Sequence, residues 1–179
     1  MSGISIENLR ELIGKCIPGG DSAFRDFRPL YADPEIMDGI VKTLAAPWRG
    51  KADYVASPES LGFIVGSALA RELGVGFIAI RSGDHFRTVT DDSLSASYID
   101  HRDMPRSLVA DRHLIPEGSR VLLADDYVET AATIQACIAI VEEADASVCG
   151  IAALGANADG AAGSVIDSGL LRAILISGR

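Results

Sequence analysis

Apolar residues recur along the chain in two alternating rhythms. Ile6, Leu9, Leu12 and Ile13 fall at helical intervals, and they predict a short amphipathic helix over Ile6–Lys15 that Pro18-Gly19-Gly20 closes. Residues 21–33 lack any period and read as irregular chain with Phe24, Phe27 and Tyr31 embedded. Pro34 suits a first helical turn, and the stripe Ile36, Met37, Ile40, Val41, Leu44 follows it. Residues 53–57 form an apolar strand, Pro58-Glu59-Ser60 a turn, and residues 61–73 a helix with Gly62 and Gly66 on one face. Gly74 ends that helix, and residues 75–80 are the next strand. One strand–helix–strand crossover implies a parallel pair.

The polar stretch 82–104 breaks the rhythm. A segment of that length inside a compact domain reads as a functional lid or a β-excursion. Residues 106–110 read as a short strand and 116–118 as a turn. Residues 120–125 are a buried strand and 131–143 a helix with Ile134, Cys137, Ile138 and Val141 facing inward. Residues 147–154 are another strand, 155–169 loop with some helix, and 173–177 a last strand. Alternating strand and helix predict a single α/β domain over residues 1–179, a doubly wound parallel sheet.

Composition narrows the function. The 179 residues carry a formal net charge of −9 and a pI of about 4.7, which opposes a nucleic-acid partner. Met1–Asn8 has no basic start and no apolar run, so no secretory leader is expected. The longest apolar segment, 61–80, is interrupted by Arg71 and Glu72, so no membrane span is expected. Cys16, Cys137 and Cys149 are odd in number and widely spaced, and they read as buried thiols of a reducing, cytoplasmic compartment. His85, His101 and His113 share no ligand spacing and read as surface residues, so no protein metal site is expected. Trp48 reads as core or rim.

The chemistry concentrates in VLLADDYVETAAT, residues 121–133. An apolar strand delivers Asp125 and Asp126 to the carboxyl edge of the sheet, where open α/β sheets bind ligands. A short loop over residues 127–132 then enters a helix whose first N–H groups and positive dipole end suit a phosphate. Thr130 and Thr133 add hydroxyl donors, and Ala131 and Ala132 are small enough for close approach. Two carboxylates accept hydrogen bonds from neighbouring ribose hydroxyls, so the unit matches a ribose 5-phosphate. The plainer reading is a helix start beside a solvated acid pair.

This segment resembles the phosphoribosyl-pyrophosphate motif of the type I phosphoribosyltransferases, keeping Asp125, Asp126, Val128, Thr130 and Thr133. FRDFRPLYADP, from Phe24, and DYVASPESLGFIVGSALARELGVGFIAIR, from Asp53, are similar to two stretches of adenine phosphoribosyltransferases. The resemblance implies that fold with a small N-terminal hood at about 1–33 and a catalytic lid at about 82–104. It implies transfer of phosphoribose from phosphoribosyl pyrophosphate, carrying Mg²⁺, to a purine-like base, adenine first, or to another amine-bearing acceptor, in purine salvage. Asp125 and Asp126 would hold the ribose hydroxyls. Tyr127 and Val128 would lead into the 5-phosphate loop of Glu129, Thr130, Ala131, Ala132 and Thr133. Glu59 and Ser60 would form the pyrophosphate turn, where the family often has a non-proline cis peptide, and Arg81 would reach pyrophosphate. Phe24 would lie against the base with Arg25 beside its edge. A homodimer is implied.

Leu61 stands where the family has an arginine, Ser82, Asp84 and His85 where it has lysines, and Ala131-Ala132 where it has two glycines. The lid acid/base falls in order of preference to Asp100, then Asp103, then His101. Glu129, usually a small residue in the family, faces solvent or an amine-bearing acceptor. The expected function is therefore a phosphoribosyltransferase, and the alternative a weakened relative that binds a nucleotide as a sensor.

Overall fold

A computed structural model of the chain describes residues 4–16, 26–83, 92–100, 103–159 and 161–178. The elements run α1 (Ile6–Lys15), α2 (Arg28–Ala32), α3 (Pro34–Ala45), β1 (Tyr54–Pro58), α4 (Gly62–Leu73), β2 (Gly76–Ser82), β3 (Ser93–Ile99) and β4 (Pro105–Asp111). After these come β5 (Arg120–Val128), α5 (Ala132–Glu143), β6 (Ser147–Asn157), α6 (Ala161–Asp167) and β7 (Leu171–Ser177). Helix starts are capped as their sequences suggest: Ser5 Oγ accepts from Asn8 N at 3.2 Å, and Asp33 Oδ1 accepts from Glu35 N at 2.9 Å. Gly74 takes the left-handed conformation that closes α4.

The seven strands form one sheet in the order β3-β4-β2-β1-β5-β6-β7. The pairs β1–β2, β1–β5, β5–β6 and β6–β7 are parallel, as the apolar strand pattern predicts. The polar stretch contributes β3, which pairs with β4 antiparallel, and β4 pairs antiparallel with β2. The sheet is thus mixed at one edge. Alternation along β5 divides the core: Val121 and Leu123 pack with α5, while Leu122 and Ala124 pack with α1, α3 and α4. Asp53 fastens the starts of the two central strands, accepting from Arg120 N at 2.8 Å and from its guanidinium at 2.7 and 3.0 Å. That fork holds the Asp53 carboxyl down at about 2.

Three expectations need correction. The irregular 21–33 stretch contains α2, a single turn with Pro29 in its first positions and Phe27 buried in front of it. Only Leu30 of α2 is buried, too little to show a period. The strand expected to stop at Asp125 continues through Val128, because Tyr127 and Val128 pair with Gly155 and Ala156 of β6. Of the three cysteines, all free, only Cys137 is buried; Cys16 and Cys149 are half-exposed.

Trp48 is core, 7% exposed, and its ring lies over Gly150 of β6 so closely that any Cβ there would overlap it. Gly150→Ala is therefore expected to destabilise the fold by about 1–3 kcal/mol through overpacking, read as a lower urea midpoint at unchanged slope.

Candidate active site

The strand order reverses between β1 and β5: β1 leads outward to β2, and β5 to β6 and β7. Chain connections part at that point and leave a crevice above the carboxyl ends of the two strands. The crevice is a cavity of about 330 Å³. The turn after β1 contributes Glu59, Ser60 and Leu61, β5 contributes Asp125 and Asp126, and the first turn of α5 contributes Thr133. Tyr98 of β3 and Asp100 just beyond it close the opposite side. Three stretches far apart in sequence thus deliver four carboxylates, with Ser60 and Thr133 from the expected pyrophosphate turn and 5-phosphate loop, to one opening.

The acid pair is locked by its own backbone. Asp126 N donates to Asp125 Oδ1 at 2.9 Å, and Tyr127 N donates to Asp126 Oδ1 at 2.9 Å. Asp125 is only 9% exposed, and burial followed by the Asp126 charge pushes its carboxyl well above the ordinary range. Tyr127, next along β5, donates or accepts through its hydroxyl at Ser177 Oγ, 2.7 Å away, and its ring stacks on Phe27 at 6.3 Å.

The Glu59–Ser60 peptide is cis. Glu59 Oε2 accepts from Ser82 N at 3.0 Å and from Arg81 Nε at 2.9 Å. The guanidinium expected to reach pyrophosphate is therefore engaged by the turn itself. Asp100 is held in the same manner, Oδ1 accepting from Met104 N and Oδ2 from Arg106 Nε, both at 3.0 Å.

The loop between β5 and α5 turns at Ala131, whose φ of 62° lies in the left-handed region that favours glycine. Alanine there costs roughly 1–2 kcal/mol. Its side chain is buried, 3% exposed, and its conformation starts α5 at Ala132 with the first N–H groups of the helix at the crevice end of the sheet. Ala132 N donates weakly to Thr130 Oγ1 at 3.4 Å. Glu129 is half-buried and does not face solvent: Asn157 Nδ2, at the end of β6, donates to its Oε1 at 3.0 Å. Asn157 in turn accepts from Asp159 N at 3.0 Å.

A family model for the phosphoribosyl transferase domain matches residues 32–167. The chain is 31% identical over 151 residues to the adenine phosphoribosyltransferase of Xanthomonas oryzae pv. oryzae, covering 83% of this chain and 77% of that protein. It is 37% identical over 134 residues to the adenine phosphoribosyltransferase of a Synechococcus species, covering 73% of this chain and 74% of that protein. The crystal structure of adenine phosphoribosyltransferase from Thermoanaerobacter pseudethanolicus superimposes with a TM-score of 0.81 at 28% identity, over 93% of this chain and 99% of that one. The chain belongs to the type I phosphoribosyltransferase family.

The crevice of this phosphoribosyltransferase brings together Asp100, Asp125, Asp126, Glu59, Ser60 and Thr133 from the residues singled out in the sequence. Phe24, Arg25 and His101 lie outside the described residues. Asp103 has a left-handed backbone at the turn between β3 and β4 and does not line the cavity. Sequence reasoning missed Arg106 and Asn157. Asn157 follows an unbroken apolar run, and an amide at such a strand end is a usable signal. Arg106 has none, since its partner is fixed only by the β3–β4 pairing.

The acid pair gives the enzyme a pH signature. A carboxyl whose folded-state pKa is raised binds its proton more tightly when folded, so stability falls as pH rises from the ordinary value of 3.8 toward the raised one. Asp125→Asn is expected to flatten that fall and to raise the urea midpoint at neutral pH. A pH 4–8 series of denaturation curves checks it, and an unchanged slope would place the buried proton elsewhere.

Proposed function

We propose that this phosphoribosyltransferase joins adenine, or another amine-bearing acceptor, to the anomeric carbon of phosphoribosyl pyrophosphate and releases pyrophosphate. The observation that carries the reading is the crevice shared by the acid pair, the cis turn, Asp100 and the start of α5. The adenine phosphoribosyltransferases similar to the chain supply the choice of base.

In this reading Asp125 and Asp126 accept from the ribose hydroxyls, while the N–H groups at the start of α5, with Thr130 and Thr133, hold the 5-phosphate. Tyr127 and Val128 fix the acids to β6 by strand pairing. The C1–pyrophosphate bond breaks ahead of attack, and the cationic sugar is stabilised by nearby carboxylates. Asp100 accepts the proton that the acceptor nitrogen loses, and Arg106 sets the direction of its carboxylate. Mg²⁺ enters on the pyrophosphate of the cosubstrate, whose charge it offsets. Residues 1–179 act as one unit with hood and lid, working in the cytoplasm, in purine salvage, as a homodimer.

A second reading, a nucleotide-binding sensor, draws on the turn after β1. Leu61 brings no charge to it, and Arg81 is engaged by Glu59. Cation loss there weakens the grip on pyrophosphate.

Pyrophosphate release with adenine separates the two. Asp100→Asn is expected to lower kcat about 100-fold or more with little change in KM for the cosubstrate. Leu61→Arg is expected to lower that KM about tenfold, because a charge-assisted hydrogen bond contributes roughly 1.5–3 kcal/mol. Nucleotide binding without turnover in either the wild type or Leu61→Arg would establish the sensor instead.

A further inference from the structure

Asn157 is the last residue of β6, the strand that pairs with the end of β5 on one side and with β7 on the other. Ala156, just before it, pairs with Val128, just before Glu129. The Asn157 amide is fixed from both ends. The backbone N–H of Asp159 can only donate, so it takes Oδ1, at 3.0 Å, and leaves Nδ2 to donate to Glu129 Oε1, also at 3.0 Å. The side chain has little room to turn: a Cβ on Gly178, just beyond β7, would stand 2.8 Å from that Oδ1. A half-buried carboxylate is thus drawn toward β6 at the loop that leads into α5. Turned the other way, it would oppose a phosphate. Glu129 and Ala132, where α5 begins, are separated by at most about 11 Å of extended chain. A side chain folded back over the loop closes much of that distance, to within the roughly 8 Å over which charges act at physiological salt.

We propose that Asn157 is a positioning residue for the 5-phosphate loop: by holding the Glu129 carboxylate on β6, it keeps a negative charge away from the phosphate bound at the start of α5. Asn157 touches neither sugar nor phosphate in this assignment and acts through Glu129 alone. A loop with a small residue at position 129 needs no such amide, so the two side chains form one device. Removing the amide alone harms phosphate binding, and removing the charge as well restores it. The assignment rests on the phosphoribosyl reading of the loop.

Binding of ribose 5-phosphate to the full chain is measured by calorimetry, at low salt and at high salt, for the wild type, for Asn157→Ala and for Asn157→Ala combined with Glu129→Gln. Asn157→Ala is expected to bind about tenfold more weakly at low salt, and the loss to shrink to about threefold or less at high salt, where the repulsion is screened. Glu129→Gln keeps the length of the side chain and removes its charge, so the double variant is expected to return to within about threefold of the wild type. Asn157→Asp keeps the shape of the side chain and the acceptor for Asp159 N but cannot donate to Glu129. It is expected to bind at least as weakly as Asn157→Ala, and it decides the matter if Asn157→Ala does not fold. Unchanged affinity in the single variants, a loss equal at both salt concentrations, or a loss that Glu129→Gln leaves uncorrected would each overturn the assignment. Wild-type protein that binds ribose 5-phosphate but not AMP would overturn the choice of adenine and leave the Asn157 comparison intact. Wild-type protein that does not bind ribose 5-phosphate would overturn the phosphoribosyl reading and this assignment with it.

Discussion

Everything at the crevice depends on β1 and β5 lying side by side. That pairing places the turn carrying Glu59 and Ser60 against the strand end carrying Asp125 and Asp126, and it makes β1–β5 the point where the sheet reverses its winding. Its register is set at the far end by a single carboxylate. Asp53 takes three hydrogen bonds from Arg120, one of them from the backbone, so a slip of one residue would break all three. A slip would also turn Asp125 and Asp126 to opposite faces, since side chains alternate along a strand. Gly62 fits the same constraint from α4: a Cβ there would stand 3.0 Å from Asp125 Oδ1.

The loop that follows the acids holds its shape without the glycines such turns usually carry. Ala131 takes a left-handed conformation, and burial of its methyl offsets part of the strain. Glu129 adds a second tie by reaching Asn157 across to β6. A carboxylate beside a phosphate site is repulsive if it points inward, and the amide of Asn157 draws it to the neighbouring strand. The chain has thus exchanged backbone freedom for side-chain anchoring at this turn. On the other side of the crevice Arg81 and Arg106 each neutralise one acid, Glu59 and Asp100, so these two cations serve to aim carboxylates.

The parallel core was legible because its central strands, β1, β5 and β6, carry mostly apolar runs buried on both faces. The acid pair and its helix start were legible from spacing alone. Other features were hidden for definite reasons. In β3 the alternation of Leu94, Ala96 and Tyr98 with Ser93, Ser95 and Ser97 is a regular strand pattern, but alanine and serine make a weak contrast. The extension of β5 through Val128 was masked by the acids, which read as the end of a buried strand. The direction of Glu129 depends on a residue 28 positions away, and the pairing of Asp100 with Arg106 on a hairpin no single-sequence rule places.

A carboxyl buried at the end of a core strand, and the Tyr31 hydroxyl, buried with no partner among the described residues, each lower the stability of the fold. Any molecule that satisfies these groups also tightens the fold, by mass action. The fraction of chains that open far enough for a protease to cut should then fall as ligand accumulates, and the lifetime of the protein would follow the supply of what it binds. Abundance would be adjusted at the level of degradation.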